Sequence, residues 1–144
     1  MIKTILNTQI MEVKYYPKGK ILYMEWKQSA NIEDYQRIMI DCLEFGREQV
    51  IDSLISDIRK QKFTNPEQRK WFESQILPTV IRELKVKRAA AIYDGSRAQQ
   101  KYLENIKKVT SKYNLPLKLF TKEEAAFKWI RKSNFKLKEL LFGH

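Results

Sequence analysis

Met11, Val13 and Tyr15 alternate with Glu12, Lys14 and Tyr16, a period of two that predicts a strand with one wet face. Pro17-Lys18-Gly19 then turns the chain, because proline presets φ and glycine tolerates a positive value. Residues 21–26 return as a second strand, so the pair reads as an antiparallel hairpin. From residue 32 the period changes. Ile32, Tyr35, Met39, Cys42, Leu43 and Gly46 fall on one face of a helix reaching about residue 49. Asn31 is its N-cap, and Glu33 and Asp34 suit the positive end of the helix dipole. Residues 50–58 read as a third strand.

The second helix starts at Asn65, with Pro66 at the first helical position and Gln68 set for a capping box. Its buried face would hold Trp71, Phe72, Leu77, Val80, Ile81 and Leu84. Pro78 lies inside it, where a proline costs about 3 kcal/mol, so a kink or two short helices are expected. Ala89-Ala90-Ala91-Ile92 is apolar on both faces and reads as a central strand, its alanines leaving room for close helix packing above and below. Asp94-Gly95-Ser96 turns into a third helix reaching about Tyr113, with Ser96 and Gln99 as a capping box. Tyr102, Leu103, Ile106 and Val109 would face its core side. Residues 117–120 form a last strand, and Thr121 and Glu124 cap a fourth helix that buries Ala125, Ala126, Trp129 and Ile130. Strand, helix and strand joined by short loops imply parallel pairing. The expectation is an α/β fold of order ββαβαβαβα: a mixed sheet of about five strands with four helices. Residues 1–133 make one domain, and residues 134–144 an amphipathic C-terminal tail. In that tail Phe135, Leu137, Leu140, Leu141 and Phe142 mix with Lys136, Lys138 and Glu139. It would cover the domain's own core, pair with a second copy, or touch an anionic membrane surface.

Composition narrows the chemistry. One cysteine, Cys42, excludes an intrachain disulfide, and with His144 as the one histidine a soft-metal site within one chain is excluded too. No cofactor motif is present. Ile5-Leu6 is broken at once by Asn7-Thr8-Gln9, so no signal peptide is read, and no apolar run approaches a membrane span. A cytoplasmic location is expected. The net charge is +11, and it is unevenly placed. Residues 1–58 hold seven Lys/Arg and nine Asp/Glu, a net of −2; residues 59–144 hold twenty-one and eight, a net of +13. Such a basic half would suit anions, nucleic acid or an acidic partner, or serve as a solubilising surface.

Several segments, in order, carry a resemblance. They are Leu22-Tyr23-Met24-Glu25-Trp26, Ser56-Asp57-Ile58-Arg59, the stretch from Trp71 to Pro78, Val86-Lys87-Arg88-Ala89-Ala90, and the run from Phe120 to Ile130. Over about residues 10–131 the chain resembles the SpoIIAA-like branch of the STAS superfamily, small bacterial proteins also likened to CRAL-TRIO domains. The resemblance implies a sheet with helices and, for signalling members, a protein-binding switch. Those members carry a phosphorylatable serine in a D-S-S-G-like turn before the second helix. This chain has neither serine nor glycine from Asp57 to Pro66, and Thr64 is the one hydroxyl there that could accept phosphate. CRAL-TRIO domains are larger, and this chain has little length left for a lipid-sized cavity.

The candidate site is the loop holding Arg59, Lys60, Lys62, Thr64 and Asn65. It leaves the C-terminal end of a strand, where open α/β sheets place ligands, and precedes a helix N-terminus, whose free N–H groups favour anions. It could equally be a solvated loop with an ordinary cap. Gly95, Ser96 and Arg97 form a weaker second anion site or a plain cap. With no usable histidine and no basic group set beside Cys42, the expected function is a non-enzymatic binding or regulatory module. Its partner would be a protein or a small anionic ligand at the sheet edge, and the chain could pair with itself. Nucleic-acid binding through residues 59–144 is an alternative. An enzyme working on an anionic metabolite with Asp57, Arg59 and Tyr93 is another.

Overall fold

A computed structural model describes residues 1–61 and 65–142, with residues 133–142 as helix backbone. Six strands form one mixed sheet: β1 (Lys3–Asn7), β2 (Met11–Tyr16), β3 (Ile21–Trp26), β4 (Ser53–Asp57), β5 (Arg88–Ile92) and β6 (Leu117–Phe120). The α/β class and the mixed sheet agree with expectation, but the strands number six, not about five. The added strand is β1. Its apolar content is little more than Ile5 and Leu6, with no alternation to mark it, and its order comes from antiparallel pairing with β2 across a register shift between Thr4 and Leu6.

β2 and β3 form the expected hairpin, and β3 to β6 are parallel. Strand order across the sheet is chain order. The crossovers are α1 (Ile32–Glu48), an interrupted helix from Pro66 to Arg82, and α4 (Arg97–Lys112). Together with β2 they bury the larger core around Met11, Trp26, Tyr35, Ile58 and Leu77. The last helix, α5 (Glu123–Phe142), covers the opposite face, where Ala126, Phe127 and Ile130 pack on Ile21, Tyr23, Ile55 and Ile92. Backbone helix thus runs on through residues 134–142, so the tail segment begins as a continuation of α5.

Pro78 has a specific solution. The interrupted helix is α2 (Pro66–Trp71), a π-turn at Phe72–Ile76, and α3 (Leu77–Arg82). The Leu77 N–H donates to Phe72 O, five residues back, and Pro78 falls in the first turn of α3, where its missing donor costs little. The Thr79 hydroxyl donates to Gln75 O (3.2 Å).

Candidate functional site

The C-terminal edge of the parallel strands carries a buried polar cluster. Asp57 ends β4 and is 2% exposed. Its carboxylate accepts from the Arg59 N–H (3.1 Å), from Arg59 Nε (3.0 Å) and Nη2 (2.7 Å), and from the Tyr23 hydroxyl (3.2 Å). The hydrogen bond to Asp57 holds the guanidinium firmly protonated. The Tyr23 phenol is pushed up by burial, then by Asp57, Glu123 and Glu25. Tyr23 also stacks on Phe127 of α5 (5.5 Å between ring centres). The cluster therefore joins β3, β4 and α5, and Arg59 is first of all the counter-ion of a buried carboxylate.

The other predicted residues are placed as follows. Lys60 is exposed. Asn65 caps α2, its Oδ1 accepting from the Glu67 N–H (2.8 Å). Lys62 and Thr64 lie outside the described residues. Gly95 is exposed at φ +82°, a value glycine adopts freely, and Ser96 caps α4 by accepting from the Gln99 N–H (3.2 Å). Arg97 is exposed in the first turn of that helix. The two loops are tied by a residue whose wider role sequence reasoning missed. Gln99 Oε1 accepts from the Asp94 N–H (2.9 Å), while its Nε2 donates to Ile58 O (2.7 Å) and Gln61 O (3.2 Å). Gln99 reads as an ordinary capping-box residue in the sequence, and nothing local marks its reach to the neighbouring loop.

Beneath this edge the larger core contains a cavity of about 130 Å³, between the sheet and the three crossover helices. Small side chains make it. Ser56 of β4 and Ala89 of β5 face the helices, and although both lie in central strands neither is fully buried. The alanines were expected to draw the helices close. Instead the larger residues paired with Ala89 on the flanking strands, Leu54 of β4 and Leu117 of β6, line the same cavity and leave a gap beside them. Met39, Cys42 and Phe72 wall the helical side, and Gln61 of the loop stands at the edge. Burial pushes the Cys42 thiol up to about 12, with Asp41 adding to it, so the thiol is neutral and unreactive at ordinary pH. Among the described residues no group of three or more His, Cys, Asp or Glu is placed to hold a metal ion. None of the helices there is long and apolar enough to cross a membrane.

No family model, curated protein or solved structure matches this chain.

Proposed function

We propose that this chain is a non-enzymatic binding module of SpoIIAA-like, STAS type, whose small ligand enters the core beneath the crossover helices. The observation that carries this is the cavity. Its size, about 130 Å³, is close to the ~150 Å³ at which an apolar void in another protein stays dry and admits benzene. It is far too small for a lipid chain. Its lining includes Trp26 and Ile58, at the C-terminal ends of β3 and β4, the position open α/β sheets use for ligands. The test is titration with isopropylbenzene, followed by amide chemical shifts and thermal unfolding. Shifts centred on Ala89, Ala91 and Leu103, with a melting temperature that rises with ligand, support the reading. No change near the solubility limit of the ligand removes it.

The 59–65 loop remains the proposed surface for a protein partner or anion, now with a sharper test. Arg59→Ala would disturb Asp57 as well as the surface, so Lys60→Ala with Lys62→Ala is the cleaner probe. Loss of a specific complex in that variant supports the loop, and an unchanged complex rejects it.

A second reading, polyanion or nucleic-acid binding, is favoured by one observation. Because strand order follows chain order, the charge division in the sequence becomes a division in space. β1 to β3 and α1 lie in the part of net −2, while β5, β6, α4 and α5 lie in the part of net +13. Binding of a random oligonucleotide should then weaken steeply from 50 to 200 mM salt, by about tenfold for each two phosphates neutralised. No binding at 50 mM salt would reject it.

A further inference from the structure

Among the described residues the cavity wall contains side-chain polar groups without a hydrogen-bond partner, Ser56, Gln61 and two phenols among them. Tyr35 of α1 and Tyr102 of α4, from the helices before and after α2 and α3, both line it. Tyr35 is 3% exposed, and its ring is fixed by stacking on Trp26 (5.4 Å) and an edge contact with Trp71 (6.0 Å). Among the described residues neither hydroxyl makes a hydrogen bond. Neither is sealed against a packed wall, since the one enclosed side-chain polar atom without a partner among those residues is Arg69 Nε. Both side chains line the cavity, Tyr35 buried and Tyr102 partly exposed, and each hydroxyl keeps some accessible surface. A tyrosine hydroxyl buried as deeply as that of Tyr35 ordinarily finds a partner, so its lack of one at a cavity that Tyr102 also lines points to an acceptor brought by the ligand.

The surroundings decide the charge of that ligand. Burial pushes both phenols up, Tyr102 to about 12, so both are neutral donors at ordinary pH. The cation nearby, Arg69, lies 3.8 Å from Glu73, and Glu73 acts on Tyr102 more strongly than Arg69 does. A buried carboxylate would find no net positive field there and would lose its hydration. A carbonyl oxygen would meet two donors at little cost.

We propose, resting on the cavity reading above, that the ligand is an uncharged and largely apolar molecule bearing one acceptor oxygen. Such a molecule has about six to nine heavy atoms, given the volume, and its oxygen accepts from Tyr35 and Tyr102.

The experiment compares acetophenone, isopropylbenzene and benzoate, probes of similar size, on the full chain and on the Tyr35→Phe/Tyr102→Phe variant. Binding is followed by amide shifts, and the acetophenone carbonyl stretch by difference infrared spectroscopy. The expected result is an acetophenone affinity lower in the variant by on the order of tenfold, with isopropylbenzene unchanged. The bound carbonyl stretch should lie lower in the wild type than in the variant. Each single Phe variant gives the same reading in smaller steps if the double variant unfolds. Isopropylbenzene binding with no loss of acetophenone affinity in the variants overturns this proposal and leaves the cavity reading standing. Benzoate binding more tightly than acetophenone also overturns it, in favour of an anionic ligand. Failure of all three probes to bind wild-type protein overturns both readings.

Discussion

Replacing Ala89 by valine should stabilise this protein and fill part of its cavity. Ala89 pairs with Leu54 on one side and Leu117 on the other, and its side chain faces the gap beneath the helices. At about 24 cal/mol per Å³, a void of this size forfeits roughly 3 kcal/mol of packing. Valine adds two carbons, worth about 0.8 kcal/mol each when buried, or about 1.6 kcal/mol. Its restricted rotamer suits a strand, and ordering it costs about 0.5 kcal/mol. The net gain is therefore about 1 kcal/mol, which for a chain of this length raises the melting temperature by roughly 2–4 °C. Urea unfolding followed by tryptophan fluorescence reads the first quantity and calorimetry the second. Isopropylbenzene affinity should fall at least tenfold in the same variant, because the valine occupies the ligand's volume. In a core already filled, the same insertion would cost about 1–3 kcal/mol. A destabilisation of that size would refute the claim that usable space exists there.

Other consequences are as direct. Asp57→Ala removes the acceptor for Arg59 and Tyr23 and should lower stability by about 2–3 kcal/mol, whereas Arg59→Ala, whose side chain is 38% exposed, should cost less; a larger loss for Arg59→Ala in urea unfolding would contradict the geometry. Gln99→Leu should cost about 1–2 kcal/mol and speed hydrogen exchange at the Asp94 and Gln61 amides, since Gln99 holds Asp94, Ile58 and Gln61 together; unchanged exchange would show the loops to be held by other contacts. Cys42 and Tyr102 keep their protons in the fold to about pH 12, above their ordinary values of 9.0 and 10.0. Over that interval the native state binds more protons than the unfolded state, so stability is intact below about pH 9 and falls as pH rises toward 12. Cys42→Ala should flatten the fall measured from urea midpoints at pH 8, 9.5 and 11, and an identical slope would place the thiol outside the core.

Most of the architecture is legible in the sequence because it rests on local periodicity. The alternation from Met11 to Tyr16 reappears residue by residue as buried and half-buried positions. Asn31, Asn65 and Ser96 cap the helices they precede. What escapes is non-local. β1 exists through its partner strand, and Gln99 acts on a loop 38 to 41 residues away. The loop of basic residues is legible as a position at the sheet edge, but Arg59's commitment to Asp57 depends on the depth at which β4 ends. The cavity is the least visible of all. Ala89-Ala90-Ala91 reads equally as tight packing or as missing volume, and the choice depends on how far Leu54 and Leu117 hold the helices from the sheet.

The irregular features of the structure lie together. The π-turn sits where Pro78 forbids a continuous helix, and it brings Phe72 and Ile76 to the cavity wall. Arg69, whose Nε makes no hydrogen bond among the described residues and only a 3.8 Å ion pair with Glu73, precedes that turn in α2, and the two phenols without hydrogen bonds stand on the helices flanking the same crossover. Each departure has a cost. The void alone amounts to roughly 3 kcal/mol, against a total stability of about 5–15 kcal/mol for an ordinary domain. If Ala89→Val recovers part of it, as expected above, the space is not forced on the fold by topology. On the opposite face Ala126 and Ile130 are fully buried against Ile21, Ile55 and Ile92, and even the charged Asp57 has its partners. Departures from packing, helix geometry and polar pairing thus gather around one crossover, which is the arrangement the proposed ligand site requires.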